Sequence, residues 1–214
     1  MLSDNYIPEK MFILVRHAET WANVKEIACG LLDSPLTARG IIQAESLGIN
    51  LQKTVTGKVS IVHSALQRSI DTAHIIARFL DAENTTLSPD MNEHFFGDGE
   101  GLPWRNVLNY LNEGMNPPGG ESRAMYRARV VDCLRHILSN SKDDSIPLIV
   151  AHGGTFYALA SLYGFYPKEI GNCSAVQFIP SGDPNICKWK TRTINYQDGI
   201  WIDDIIFFQE GAHA

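Results

Sequence analysis

The chain has 214 residues, 44% hydrophobic and 20% charged, the balance of a soluble globular protein with one well-cored domain. Its formal net charge is −6 and it holds no Lys/Arg block, which argues against a nucleic-acid partner yet leaves a few arginines free to set the local field of a cleft. Four cysteines, Cys29, Cys133, Cys173 and Cys187, lie far apart without a C-x-x-C pair, as expected of reduced thiols in a cytoplasmic protein. No stretch has the length of a membrane span, and no basic and apolar leader opens the chain, so no membrane partner is expected.

In chain order, residues 1–10 read as an N-terminal arm to a single domain spanning 1–214. The apolar run 11–15 has strand character and ends on Arg16-His17. Thr37 is an N-cap candidate for a helix with Ile41, Ala44, Leu47 and Leu51 on one face. Residues 58–62 form a second β-branched run ending at His63-Ser64, where Ser64 and Gln67 have capping-box spacing. The next helix carries the stripe Leu66, Ile70, Ala73, Ala77 and Leu80. Residues 95–101 are rich in glycine and acid, 102–111 read as helical, and 116–120 form a Pro-Gly loop. A helix over about 121–138 turns Tyr126, Val130, Cys133 or Leu134, and Ile137 inward. Strand 148–151 runs into His152-Gly153-Gly154 and a further helix, and 175–179, 189–194 and 205–208 are strand-like. This alternation predicts an α/β, three-layer sandwich with a mostly parallel central sheet and helices on both faces.

Open α/β sheets keep their chemistry at the carboxyl ends of their strands. Three runs here end in a histidine: His17, His63 and His152. Arg16 adjoins the first, and Arg68 lies one turn into the helix after Ser64. Two arginines and two histidines at such a sheet edge suit a tetrahedral dianion, whose charge fixed cations stabilise best where water is excluded. An imidazole with an ordinary pKa of about 6.5 can be neutral at pH 7 and attack phosphorus, giving a phosphoenzyme. The leaving oxygen then needs a proton, for which Glu93 and Glu100 are the candidates. Arginines neutralise the charge, so no metal and no cofactor is expected. His74, His136 and His213 read as surface residues, and Arg123, Arg127, Arg129 and Arg135 mostly as a solvated helix face.

These residues resemble a known family. Arg16-His17-Ala18-Glu19-Thr20 with Asn23 resembles the R-H-G-E-T-x-x-N signature of the histidine phosphatase superfamily, in its phosphoglycerate mutase-like branch. The likeness continues through 30–40, 64–73, 92–101, 118–122 and 152–154, and covers roughly 11–178 in the family's order. The resemblance implies that His17 is the phosphoaccepting nucleophile, that Arg16, Arg68 and His152 hold the phosphoryl oxygens, and that Glu93 is the proton donor. It also puts Asn23, Thr20 and the backbone at Gly153 on the substrate-binding side, with Glu19 supporting the first loop. Ala18 departs from the family's glycine, and Gly99 stands where tryptophan often precedes Glu-Gly.

The segment 96–105 lacks the lysine of the mutase's carboxylate grip, so a phosphomonoesterase acting on a small phosphorylated metabolite is favoured over a phosphoglycerate mutase. A non-catalytic phospholigand binder on the same fold and a metal-dependent hydrolase are the readings from other classes. The expected partners are a small-molecule phosphorylated substrate and, for assembly, a second copy in a homodimer.

Overall fold

The computed structural model describes residues 7–163, 165–167, 170–182, 189–197, 200–202 and 207–209. Among them run β1 (Phe12–Arg16), α1 (Trp21–Val24), α2 (Ala38–Thr54), β2 (Lys58–His63), α3 (Gln67–Ala77) and β3 (Ala82–Leu87). The chain continues through α4 (Trp104–Asn112), α5 (Arg123–Asn140), β4 (Ser145–Ala151), α6 (Gly153–Tyr163), β5 (Phe165–Pro167) and β6 (Ala175–Pro180). The remaining elements are β7 (Trp189–Gln197), β8 (Ile200–Ile202) and β9 (Phe207–Gln209).

The central sheet has the order β3-β2-β4-β1-β6-β7-β8. Its first four strands pair in parallel, and β6, β7 and β8 extend it in antiparallel fashion. Alternation along the inner strands divides the core in two, because successive side chains leave opposite faces. Phe12 and Leu14 of β1, with Ile149 and Ala151 of β4, face α5 and α6 through Tyr126, Val130, Leu134 and Phe156. Ile13, Val15, Leu148 and Val150 face α2 and α3 through Ala44, Leu47, Leu51, Ala73 and Ile76. The expected three-layer α/β sandwich is the observed one. Phe12 stacks on Phe178 at 4.4 Å and meets Trp189 edge-on at 5.8 Å, so the antiparallel extension is anchored to the parallel half.

Several local expectations change. Ile41 is 42% exposed, and the inward stripe of α2 is completed instead by Gly40, Gly48 and Asn50. Ser64 and Gln67 make no capping box: α3 begins at Gln67, whose N–H is capped by Asp33 from a distant loop. The edge strand β3, Ala-Glu-Asn-Thr-Thr-Leu, is largely exposed and has no apolar alternation to announce it. Ile7 of the expected arm is fully buried in the α5–α6 side of the core. The expected strand 205–208 lies partly outside the described residues; β9 begins at Phe207. Cys29, Cys133 and Cys173 are free thiols, whereas Cys187 and His213 lie outside the described residues.

Candidate active site

Strand register assembles the site. Arg16 of β1 pairs with Ala151 of β4, and His63 of β2 pairs with Val150, so the three strands end together. His17, Ser64 and His152 therefore leave the sheet side by side. The His17 amide donates to the Ala151 carbonyl at 2.9 Å, and the Ser64 amide to the Val150 carbonyl at 3.2 Å. The two imidazoles stand 5.3 Å apart, inclined at 58°.

Burial decides the charge state of both rings. His17 is held well below the usual histidine pKa by burial first, then by the Arg68 and Arg16 guanidinium groups. His152 is lowered likewise, by burial, Arg68, His17 and Arg16. Both are neutral at physiological pH. Nδ1 of His17 lies 2.8 Å from the Ala18 carbonyl, which can only accept. The proton thus sits on Nδ1, and Nε2 keeps the lone pair a nucleophile requires. Nε2 of His152 meets the Ser64 hydroxyl at 2.8 Å, while that oxygen accepts from the Leu66 amide at 3.4 Å. Among the described residues Nε2 is the one acceptor within reach of the Ser64 hydroxyl hydrogen, and a hydroxyl that donates to Nε2 leaves the His152 proton on Nδ1. That Nδ1 is buried with no partner among the described residues. An unsatisfied buried donor costs about 1–3 kcal/mol, which a bound anionic oxygen would recover.

Arg68 is 1% exposed and bound to the loop before α2. Its Nη1 donates to the Leu32 carbonyl at 2.7 Å and to Asp33 at 3.2 Å, and its Nη2 to the Cys29 and Gly30 carbonyls at 3.1 and 2.7 Å. The cation is fixed by these four bonds and acts on the histidines chiefly through its field. Arg16 donates to the Ile170 carbonyl, and a Cβ at Gly153 would sit 3.7 Å from its Nε, so the guanidinium runs along the first residue of α6. The first amides of a helix have no intrahelical acceptor and favour an anion there.

Thr20 caps α1. Its hydroxyl accepts from the Asn23 amide at 3.2 Å, and Asn23 Oδ1 takes bonds from the Thr20 amide at 3.0 Å and hydroxyl at 2.9 Å. Glu19 behaves as the loop support expected of it, accepting from the Thr37 hydroxyl at 2.8 Å and pairing with Arg39 at 3.4 Å.

Glu93 is tied to the start of α6. Its Oε1 accepts from the Tyr126 hydroxyl and the His94 amide, both at 2.9 Å, and its Oε2 from the Gly154 amide at 3.2 Å. Gly154 must be glycine, since a Cβ would meet the Tyr126 hydroxyl at 2.8 Å and Glu93 Oε1 closer still. Glu100, the other candidate acid, is structural: it collects the amides of Gly30, Leu31, Leu32 and Phe96 at 3.0 to 3.1 Å.

One expectation is corrected at this site. Arg129 is not part of a solvated face: it binds Glu121 through Nε and Nη2 at 2.8 Å and reaches the Asp90, Asn92 and Glu93 carbonyls. Its guanidinium also lies 4.8 Å over the Tyr126 ring, and together these contacts fix the loop that carries Glu93. At the departure from the family's glycine, the Ala18 methyl is buried in the core on the α2–α3 side of the sheet, and the Ala18 amide donates to the Thr72 hydroxyl at 3.0 Å. His63 and His94 are buried and bonded to backbone carbonyls, at Ser64 and Glu121. Sequence reasoning missed Ser64, Tyr126 and Asn172 as parts of the site. A Gly-Asn turn signal before the strand at 175 was the one local hint of the last. Among the described residues, no group of three His, Cys, Asp or Glu could hold a metal ion, and no helix is long and apolar enough to cross a membrane.

A parallel-sheet crevice with two neutral histidines, two guanidinium groups and a helix N-terminus defines an enzyme acting on phosphate esters. The sequence matches the Histidine phosphatase superfamily (branch 1) over residues 12–178, and the chain belongs to that family. It is similar to the metal-independent phosphoserine phosphatase of Arabidopsis thaliana, 30% identical over 158 residues that make up 69% of this chain and 66% of the relative. A 2,3-bisphosphoglycerate-dependent phosphoglycerate mutase of Bartonella henselae is 32% identical over 177 residues, 76% of this chain and 85% of its own. The solved structure of a mycobacterial glucosyl-3-phosphoglycerate phosphatase superposes with a TM-score of 0.70 at 26% identity, covering 85% of this chain and 96% of that one. The family match bears out the expected histidine phosphatase, and phosphatases are among its relatives.

Proposed function

We propose that His17 is the residue phosphorylated during turnover and that Glu93 serves the leaving group. The observation that carries this reading is the neutral imidazole of His17 with its Nε2 lone pair free, buried beside Arg16, Arg68 and His152. The Nε2 lone pair attacks phosphorus in line as the ester P–O bond breaks, and Glu93, in its protonated form, gives the departing oxygen its proton. The resulting carboxylate takes a proton from water, which attacks the phosphohistidine; the P–N bond breaks and inorganic phosphate leaves. Arg16, the Asn23 amide, His152 Nδ1–H and the Gly153 backbone hold the equatorial oxygens, with Arg68 supplying field and Thr20 fixing Asn23.

Net hydrolysis rather than phosphoryl return is supported by the segment 96–105. It carries no lysine, and its backbone is zipped onto residues 26–28 through Trp104 N to Glu26 O at 2.6 Å and Ala28 N to Leu102 O at 2.8 Å. The test is release of phosphate from an aryl phosphate between pH 5 and 8 in excess chelator, with acid-stable trapping avoided and base-stable phosphohistidine measured after a rapid quench. Turnover and label should both vanish in His17→Ala. Turnover surviving in that variant, or lost on chelation alone, refutes the reading.

A further inference from the structure

Asn172 sits in the turn between β5 and β6, in no segment that the phosphatase chemistry invokes. Its Nδ2 donates to the His17 carbonyl at 3.1 Å and to Asn23 Oδ1 at 3.0 Å. The next amide, that of Cys173, donates to the same His17 carbonyl at 3.3 Å. Cys173 holds a left-handed φ of 56°, which costs a non-glycine residue about 1–2 kcal/mol and is tolerated because this turn aims both donors at the end of β1.

The atom identities in this network are fixed by chemistry. The His17 carbonyl can only accept, so the Asn172 atom facing it is nitrogen. The Thr20 amide can only donate, so the Asn23 atom facing it is oxygen. Asn23 Oδ1 thus receives three donors: the Thr20 amide, the Thr20 hydroxyl and Asn172 Nδ2. Its Nδ2 has no partner among the described residues and is the only polar group of that side chain left for a ligand.

We infer that Asn172 is a positioning residue that locks the Asn23 amide with its NH2 toward the phosphoryl group and ties it to the backbone of the nucleophile. The inference rests on the proposed reading, in which Asn23 binds the phosphoryl oxygens. Two donor hydrogens on one nitrogen set the spacing between the nucleophile and the group that holds its target. Alanine at 172 releases both, and Asn23 is then free to rotate or flip its amide, presenting an acceptor to an anion.

The test is a double-mutant cycle over Asn23→Ala and Asn172→Ala, read as the inhibition constant for inorganic phosphate and as kcat/KM on an aryl phosphate. In the wild-type background, Asn172→Ala should weaken phosphate inhibition and lower kcat/KM by about tenfold, the size of one lost hydrogen bond to a charged acceptor. In the Asn23→Ala background it should change either quantity less than about twofold, because the Asn23 acceptor is gone and the His17 carbonyl keeps the Cys173 amide. Equal factors in both backgrounds overturn the inference, since a merely structural role acts regardless of Asn23. Asn172→Asp keeps the shape without the donors and serves where the alanine variant fails to fold; phosphate inhibition at the wild-type level in that variant overturns it too. Failure of the underlying reading is seen separately, as absence of His17-dependent phosphohistidine in the unaltered protein.

Discussion

Substituting Gly154 by alanine separates the proposed acid from the rest of the site. The new Cβ would lie 2.8 Å from the Tyr126 hydroxyl and closer to Glu93 Oε1, well inside the 3.4 Å at which ordinary contact begins. Tyr126 cannot yield, being buried, stacked at 5.0 Å on His94 and covered by Arg129. Glu93 must move, losing the bonds from Tyr126 and from the Gly154 amide. Alanine is favoured over glycine inside a helix by about 1 kcal/mol, which offsets part of the strain and keeps the protein folded. A positioned general acid contributes about 10²–10⁴-fold, and only where the leaving oxygen needs a proton. kcat/KM should therefore fall about 100-fold on an alkyl phosphate and less than about fivefold on p-nitrophenyl phosphate, whose leaving group departs as the anion. Paired kinetics on the two substrates, with a melting curve as control, provide the assay. Equal losses on both substrates would refute the claim that Glu93 acts through leaving-group protonation.

Exchange of the two acids tests the same assignment from the other side. Glu93→Gln should lose about 10²–10³ in kcat on alkyl phosphates. Glu100→Gln, which replaces the acceptor of four amides, should chiefly lower the melting temperature while folded enzyme keeps its leaving-group dependence. Acid should destabilise the fold through His17 and His152, whose folded pKa values both lie below the usual one. Below about pH 6.5 the unfolded chain takes up protons that the folded chain refuses, so stability falls with pH at up to about 1.4 kcal/mol per unit for each ring. Urea titrations from pH 7.5 to 5 should show the fall, and it should be shallower in His152→Asn; a pH-independent midpoint would contradict the burial argument.

The features legible in the sequence are those that local physics imposes. The apolar runs before Arg16 and His152 become adjacent parallel strands because nothing but burial on both faces suits them. The Arg-His and His-Gly-Gly junctions then fall at one sheet edge. What stayed hidden depends on partners far along the chain. Asp33, not Ser64, caps α3 across 34 residues, which frees Ser64 to orient His152 across 88. Arg129 reads as one of four arginines on a helix, and only the folding of the 90–93 loop over it reveals the three bonds that hold this loop and the two that bind Glu121. The strand β3 has a polar, exposed sequence and exists because β2 offers a free edge.

The distribution of hydrogen bonds around the two arginines bears on how this site tells a tetrahedral oxyanion from other anions. If cationic charge alone recruited substrate, a bound Arg68 would be poorly used, with four of its donor contacts spent on Leu32, Asp33, Cys29 and Gly30. A fixed guanidinium instead adds its field to the burial that keeps both histidines neutral, without itself having to reorganise. Beside Arg16, recognition in the proposed reading falls to single donors of defined direction: the Asn23 NH2, the Nδ1–H of His152 and the leading amide of α6. Each is held by a different segment, the 170–174 turn, Ser64 and β4, so their mutual geometry is set by the whole sheet edge rather than by one loop. In the proposed reading these donors come from separate elements and suit the three equatorial oxygens of a phosphoryl group, whereas a planar carboxylate offers only two oxygens, both in one plane. On this reading, sulfate and vanadate should compete with substrate, and acetate at equal concentration should not.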